Sequence, residues 1–326
     1  MMEDNRDGTS ALHRAAREGN YEQVLHQLQL GINPNVRDRK AKTPLHEACA
    51  HGHTDCAMLL LENGALISAH KTNGFTPLHY AAAGGHEAIV ELLVSRGINL
   101  NEGDYKGERP LDLAARVGAV GVIHILLRNG ADVSRRTRNG RSSAHTAALN
   151  GHEQALQLLL SAGADPLVAD NGGSLPIHEA AAGGSLKCMK LLWSIGMDIE
   201  AQDSCGCTPL HHAAKGGHLT VVQWLVLEGV NVEARDLNGS TALYWAASKG
   251  QLDVVKYLLH EAGADACTSN NHRSVLHVSA GWGYLAICEE LLAGGADSKA
   301  KDKDGSEPAD VARKCGHLTI FKLLTE

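Results

Sequence analysis

Aromatic residues make up only 4% of this 326-residue chain, and just two of them are Phe. Because 44% of residues are hydrophobic all the same, the interior must be built from Leu, Ala, Val and Ile, and a large aromatic cage for a ligand is excluded. Proline is scarce too, at 8 residues, whereas the 35 glycines are about 11% of the chain against a usual share of about 7%. That balance fits many short elements closed by glycine, not a collagen-like or disordered polymer. No stretch approaches 18 uninterrupted apolar residues, and the opening Met1-Met2-Glu3-Asp4-Asn5-Arg6 has no apolar core of a secretory leader. A soluble, unsecreted protein of the cytoplasm or nucleus, with no membrane partner, is expected. Excess positive charge is also missing: the formal net charge of -7 argues against general nucleic-acid binding, while leaving room for a local basic patch.

Eight cysteines could in principle form a disulfide framework, a reading that suits short secreted chains. Here Cys49 takes a small-residue position and Cys56, Cys188 and Cys288 stand in apolar stripes, so they are expected to be reduced packing residues. Cys205, Cys207 and Cys315 are expected to be exposed and to react first.

What the chain does have is one pattern in fixed phase. Thr43-Pro44-Leu45-His46 returns as Thr76-Pro77-Leu78-His79 and Thr208-Pro209-Leu210-His211, with looser versions between. The fourth position of this tetrad falls at His13, His46, His79, Asp112 and His145, then at His178, His211, Tyr244, His277 and Asp310, always 33 residues apart. Small residues such as Ala81-Ala82 follow, then Gly85-His86, then an apolar stripe such as Ile89, Val90, Leu92 and Leu93. This predicts helix, turn, helix. Thr is read as an N-cap whose side chain accepts from an orphaned backbone N–H, with Pro at the first helical position. Gly97, Gly130, Gly163 and Gly229 are read as closing the second helix in the left-handed conformation.

On these residues the chain resembles the ankyrin-repeat proteins over essentially its whole length. The resemblance implies an all-α solenoid of stacked helix-turn-helix units joined by β-turn or hairpin-like loops. One domain over 1–326 is expected, in repeats of approximately 5–37, 38–70, 71–103, 104–136, 137–169, 170–202, 203–235, 236–268, 269–301 and 302–326. Three repeats depart from the pattern. Repeat 4 reads Arg109-Pro110-Leu111-Asp112 and carries Gly118 and Gly121, the latter read as interior to its second helix and so as a soft joint. Repeat 8 closes one residue late, at Gly263, and shortens the next loop by one. Repeat 10 puts Arg313 where others have Ala or Cys, as expected of a polar cap.

Of 19 histidines, seven occupy the tetrad and five the Gly-His position, which makes twelve structural; the family resemblance gives the tetrad histidine the role of tying adjacent loops. Cys205-Gly206-Cys207 with His211-His212 and Cys188 is the densest metal-like cluster, but Cys188 and His211 already have places in the repeat. His46-Glu47-Ala48-Cys49-Ala50 lacks the second histidine of a zinc-protease helix, and Gly281-Trp282-Gly283-Tyr284-Leu285-Ala286 follows a helix where a dinucleotide fingerprint needs a strand. No cofactor, metal or catalytic set is expected, and no enzyme.

The resemblance implies that partners lie on the concave face, formed by loop tips and the exposed ends of first helices. By phase, repeats 2 to 5 place there Arg37, Arg39, Lys40, Lys42 and His51, then His70 and Phe75, then Tyr105, Lys106 and Arg116, then Arg136, Arg138 and Arg141. Nine positions are Lys or Arg and one, Glu108, is acidic. Repeats 6 to 10 are read as more neutral, with Lys215, Lys249 and Trp282 standing out. The leading reading is a monomeric, non-enzymatic scaffold that binds an acidic or phosphorylated protein segment. Phe75 and Tyr105 would supply apolar anchors. The alternative is a regulatory or inhibitory subunit of an enzyme or transcription factor; nucleic-acid binding through Arg135 to Arg141 ranks below both.

Overall fold

The computed structural model describes residues 8–326. Residues 1–7, which hold the opening segment and the start of repeat 1, lie outside them. Two compact halves divide between Asp165 and Pro166, each containing five helical hairpins. Twenty α-helices and no strand occur among the described residues; the sole β-bridge pairs Ser269 with Ser274. No helix among them is long and apolar enough to cross a membrane.

Repeat 3 shows why the sequence folds this way. Thr76 is extended (φ -97°, ψ 168°), and Pro77 opens the first helix, Pro77–Ala83, at the position where its missing N–H costs nothing. Gly84-Gly85 turns the chain into the second helix, Glu87–Ser95, and Gly97 reverses it at φ 77°. Helices of seven to nine residues are not stable alone in water, so stacking carries the fold. Within each half, first helices pack on first helices and second on second. Leu45, Leu78, Ile89, Leu93 and Ile123 are fully buried in the N-terminal stack, each contributing about 1.5–3 kcal/mol by the area removed from water.

Two sets of hydrogen bonds cross every layer interface of repeats 1 to 3. The first belongs to the tetrad. The Thr43 backbone N–H donates to His46 Nδ1 at 3.1 Å, and the Thr43 hydroxyl lies 2.8 Å from the same nitrogen. The proton is therefore on Nε2, which donates to the Phe75 carbonyl, 29 residues on, at 3.2 Å. His13 reaches the Lys42 carbonyl and His79 the Glu108 carbonyl in the same way. The expected cap is present where the Ser10, Thr241 and Ser274 oxygens accept the backbone N–H three residues on, and the tetrad imidazole adds a second bond by taking the N–H of the cap residue itself. Repeat 6 proves the point, since Leu175 replaces threonine and its N–H still donates to His178 Nδ1 at 3.0 Å. The second set runs backward over 36 residues. His53 Nε2 donates to the Arg17 carbonyl and His86 to the Ala50 carbonyl. Gly52 is required twice over, by its φ of 80° and because a Cβ there would lie 2.9 Å from the His86 ring.

Repeat 4 is tied by different chemistry. Buried Asp112 accepts from the Arg109 N–H and, at 2.6 Å, from the Ser143 hydroxyl, while Arg109 Nη1 donates to the Arg136 carbonyl. Its second helix, Val120–Arg128, has the usual nine residues with Gly121 as only the second of them, and Gly118 is an ordinary left-handed cap. The expected soft joint lacks its premise, because a glycine in the first turn is not in the helix interior. In repeat 10, Arg313 is exposed, pairs with Asp310 and lies over the Phe321 ring. Repeat 8 keeps a nine-residue second helix, Leu252–His260, before the late Gly263.

Candidate protein-interaction surface

Loop tips are built by aspartates that the phase arithmetic passed over. Asp38 Oδ1 accepts the N–H groups of Lys40 and Lys42, and Asp104 Oδ1 those of Lys106 and Glu108, which closes each tip into a tight turn. Adjacent tips are then joined backbone to backbone: Thr72 to Lys40, Tyr105 to Asn73, and Arg138 to Lys106, at 2.9–3.1 Å. The tips form a fixed ridge beside the first helices, so the side chains they carry have defined places.

Arg39, Lys40 and Lys42 come together in a pocket of about 180 Å³, joined by Arg17 and Lys71, with Tyr80 as one wall. Five cations thus meet two carboxylates, Asp38 and Glu47. Glu47 is 1% exposed and takes ion pairs of 2.8 Å from both Arg17 and Lys42. Burial alone would push its carboxyl up, but the hydrogen bonds from Arg17 and Lys42 outweigh it and hold the carboxyl below its ordinary range. Lys42 Nζ lies 4.9 Å and Lys71 Nζ 5.8 Å from the centre of the Tyr80 ring, which brings two ammonium groups to one phenol. A second pocket, of about 210 Å³, gathers Lys106, Arg116 and Arg141 with Thr137, Asn139 and Asn150. It holds a single carboxylate, Glu108, paired with Arg116.

The remaining expected positions lie around these pockets. Arg37 and Arg138 are exposed, and Arg136 is exposed with its Nε donating to the Gly140 carbonyl. His51 stacks beside His53, and His70 is 3.3 Å from Glu102. Phe75 is half-buried, stacked on His79 and edge-on to Tyr80, whereas Tyr105 is 62% exposed. The Tyr105 ring rests on the neighbouring tip, where a Cβ on Gly74 would come within 3.0 Å of it.

In the C-terminal half, Lys215 lies 4.8 Å from the Trp245 ring centre, Lys249 is exposed and Trp282 is 64% exposed. Arg235, Lys301 and Lys303 are exposed at the same phases, so that face is more basic than expected. His212 Nε2 sits 2.9 Å from Asp203, yet no group of three or more metal-ligating side chains gathers among the described residues. Cys207, expected to be exposed, is buried, and its thiol is pushed up to about 12 chiefly by burial; Cys267, not foreseen, is exposed.

Glu47, Tyr80 and Lys71 were missed because Glu47 and Tyr80 follow the tetrad histidine and Lys71 stands at the phase of Asp38 and Asp104, and neither phase was counted among the concave positions. The available signal was that the position after the tetrad is more often polar or aromatic than aliphatic, as at Arg14, Glu47, Tyr80, Thr146, Glu179, His212 and Trp245.

A model of ankyrin repeats in three copies matches residues 12–104, 66–137, 111–203 and 177–270, and a model of the single ankyrin repeat matches 271–303. Among solved structures, the ankyrin repeat domain of human ASB11 is similar, with 29% identity and a TM-score of 0.60, over 67% of this chain and 98% of that one. No curated protein matches.

Proposed function

The chain belongs to the ankyrin-repeat family, whose repeats are non-enzymatic protein–protein interaction modules, and from that premise we propose that it is a monomeric scaffold. Its partner is a protein carrying an acidic or phosphorylated segment, held along the tip-and-first-helix face of the N-terminal half. The observation that carries this reading is the pair of cation-rich pockets on a chain whose net charge is -7. Cations gathered against the overall charge concentrate an anionic segment locally and steer its approach.

The test is capture of partners from extract with the full chain and with a variant carrying Arg39→Glu, Lys40→Glu, Lys106→Glu and Arg138→Glu. All four side chains are exposed, so helical content should be unchanged and each substitution should cost within about 0.5 kcal/mol. Captured acidic proteins should be lost from the variant and released from the parent by salt. Identical capture by both chains would refute the assignment.

A further inference from the structure

The two pockets differ from a diffuse basic surface in being discrete, alike in size and separated along one stack. The first draws on repeats 1 to 3 and is centred on repeat 2; the second lies between repeats 4 and 5. With layers about 10 Å apart, their centres are about 20–25 Å apart. An extended chain advances about 3.3 Å per residue, so that distance is about seven residues. Between them stands the exposed Tyr105 ring, fixed on Gly74.

Charge decides what each pocket takes. The first carries five cations against two carboxylates, and the second three against one. Excesses of three and two match a phosphate monoester, which carries about -1.5 to -2 near neutral pH, better than a single carboxylate. Hydroxyl and amide groups of Thr137, Asn139, Thr146 and Asn150 add hydrogen-bonding capacity for the several oxygens of a phosphate in the second pocket.

We propose that the N-terminal half recognises an extended segment bearing two phosphorylated serines or threonines about seven residues apart, with an apolar residue midway against Tyr105. This rests on the groove reading above and adds to it a spacing and a chemistry. Holding both anions at once makes the second contact intramolecular, so affinity depends on spacing as well as charge.

The experiment uses the full chain and fluorescent Gly/Ser-based peptides with a central Leu and two phosphoserines at separations of two, seven and twelve residues. A fourth peptide has two glutamates seven apart. Binding is read by fluorescence anisotropy at low salt. The seven-residue phosphopeptide should bind at least tenfold more tightly than the other three, and Tyr105→Ala should weaken it severalfold. Equal affinity at all three spacings overturns the two-pocket proposal, and equal affinity of the glutamate peptide overturns its phosphate assignment. The fourfold charge-reversal variant separates this from the reading beneath it. If that variant abolishes binding that is indifferent to spacing, the groove stands and the proposal falls. If the variant binds as the parent does, or no peptide binds the parent, both fall.

Discussion

Lowering the pH from 8 to 5 should destabilise the N-terminal half through two specific rings. His46 and His79 are fully buried, and their pKa values are lowered from 6.5 to about 4, chiefly by burial. Geometry gives the same direction, because a proton on Nδ1 would face the N–H of Thr43 or Thr76 that now donates to it. In the unfolded chain both rings titrate near 6.5, so between pH 6.5 and 4 the unfolded state binds more protons and stability falls with pH. At pH 5 the unfolded ring is about 1.5 units below its pKa while the folded ring is still neutral. Each histidine then removes about 2 kcal/mol, or about 4 kcal/mol for the pair. Glu47, with its pKa held below the ordinary value, has the opposite linkage: its stability is fully present above the unfolded pKa and is lost as pH falls through the folded one, below this window. The discriminating variant is His46→Gln, since glutamine at this helical position can still accept the Thr43 N–H. It loses the bond to Phe75 and should be less stable at pH 8 by about 1 kcal/mol. Its further loss on going to pH 5 should be about 2 kcal/mol smaller than the parent's, so that the order of stability is levelled or reversed. Urea melts at both pH values, with ring Cε1–H resonances followed by NMR, measure this. Folded-state titration of His46 and His79 near 6.5, or the same pH loss in parent and variant, would refute the reasoning.

Lys42→Glu should lower stability by about 3–5 kcal/mol, since it sets a second carboxylate against a Glu47 that is 1% exposed; adding Glu47→Gln should recover much of the loss, and thermal melts of the two variants decide it. In native protein without reductant, thiol alkylation followed by mass spectrometry should label Cys205, Cys267 and Cys315 quickly and Cys49, Cys56, Cys188, Cys207 and Cys288 only on unfolding; early labelling of Cys207 would contradict its burial.

The repeat was legible because its phase is a covalent fact of the sequence. Both helices of each repeat, the proline that opens six of the ten first helices and the glycines that follow the second helices come from a pattern that tertiary contacts only reinforce. The floor of the first pocket was harder to see, since Glu47 and Tyr80 stand at a phase whose residues range from Arg14 and Glu179 to Leu113 and Val278. Phase tells which face a residue meets, but the sharing of Glu47 between Arg17 and Lys42 depends on side chains from two different repeats. The expected excess of positive charge over repeats 2 to 5 therefore counted Lys42 and Arg116 as available, though each has a carboxylate partner. Cys207 was misplaced for a related reason: its loop is held inward by Asp203, which accepts its N–H.

Repeat 8 shows what the two opposed histidine bonds do for chain length. In repeats 1 to 3 they span 29 residues forward and 36 back, so a repeat that keeps both at that spacing cannot make a net gain or loss between the bonded groups without one of them being dislodged. Repeat 8 has neither histidine, a loss it shares with repeat 4, which keeps its phase. Tyr244 reaches instead to the Asn270 side chain, and Gln251 donates to the Lys215 carbonyl over 3.3 Å. This is also the repeat in which the closing glycine slips by one position and the following loop makes up the difference. Where the imidazoles are replaced, the fold admits an insertion and a matching deletion, and a graft or added loop placed after His260 should be accommodated more readily than at any repeat still measured out by its histidines.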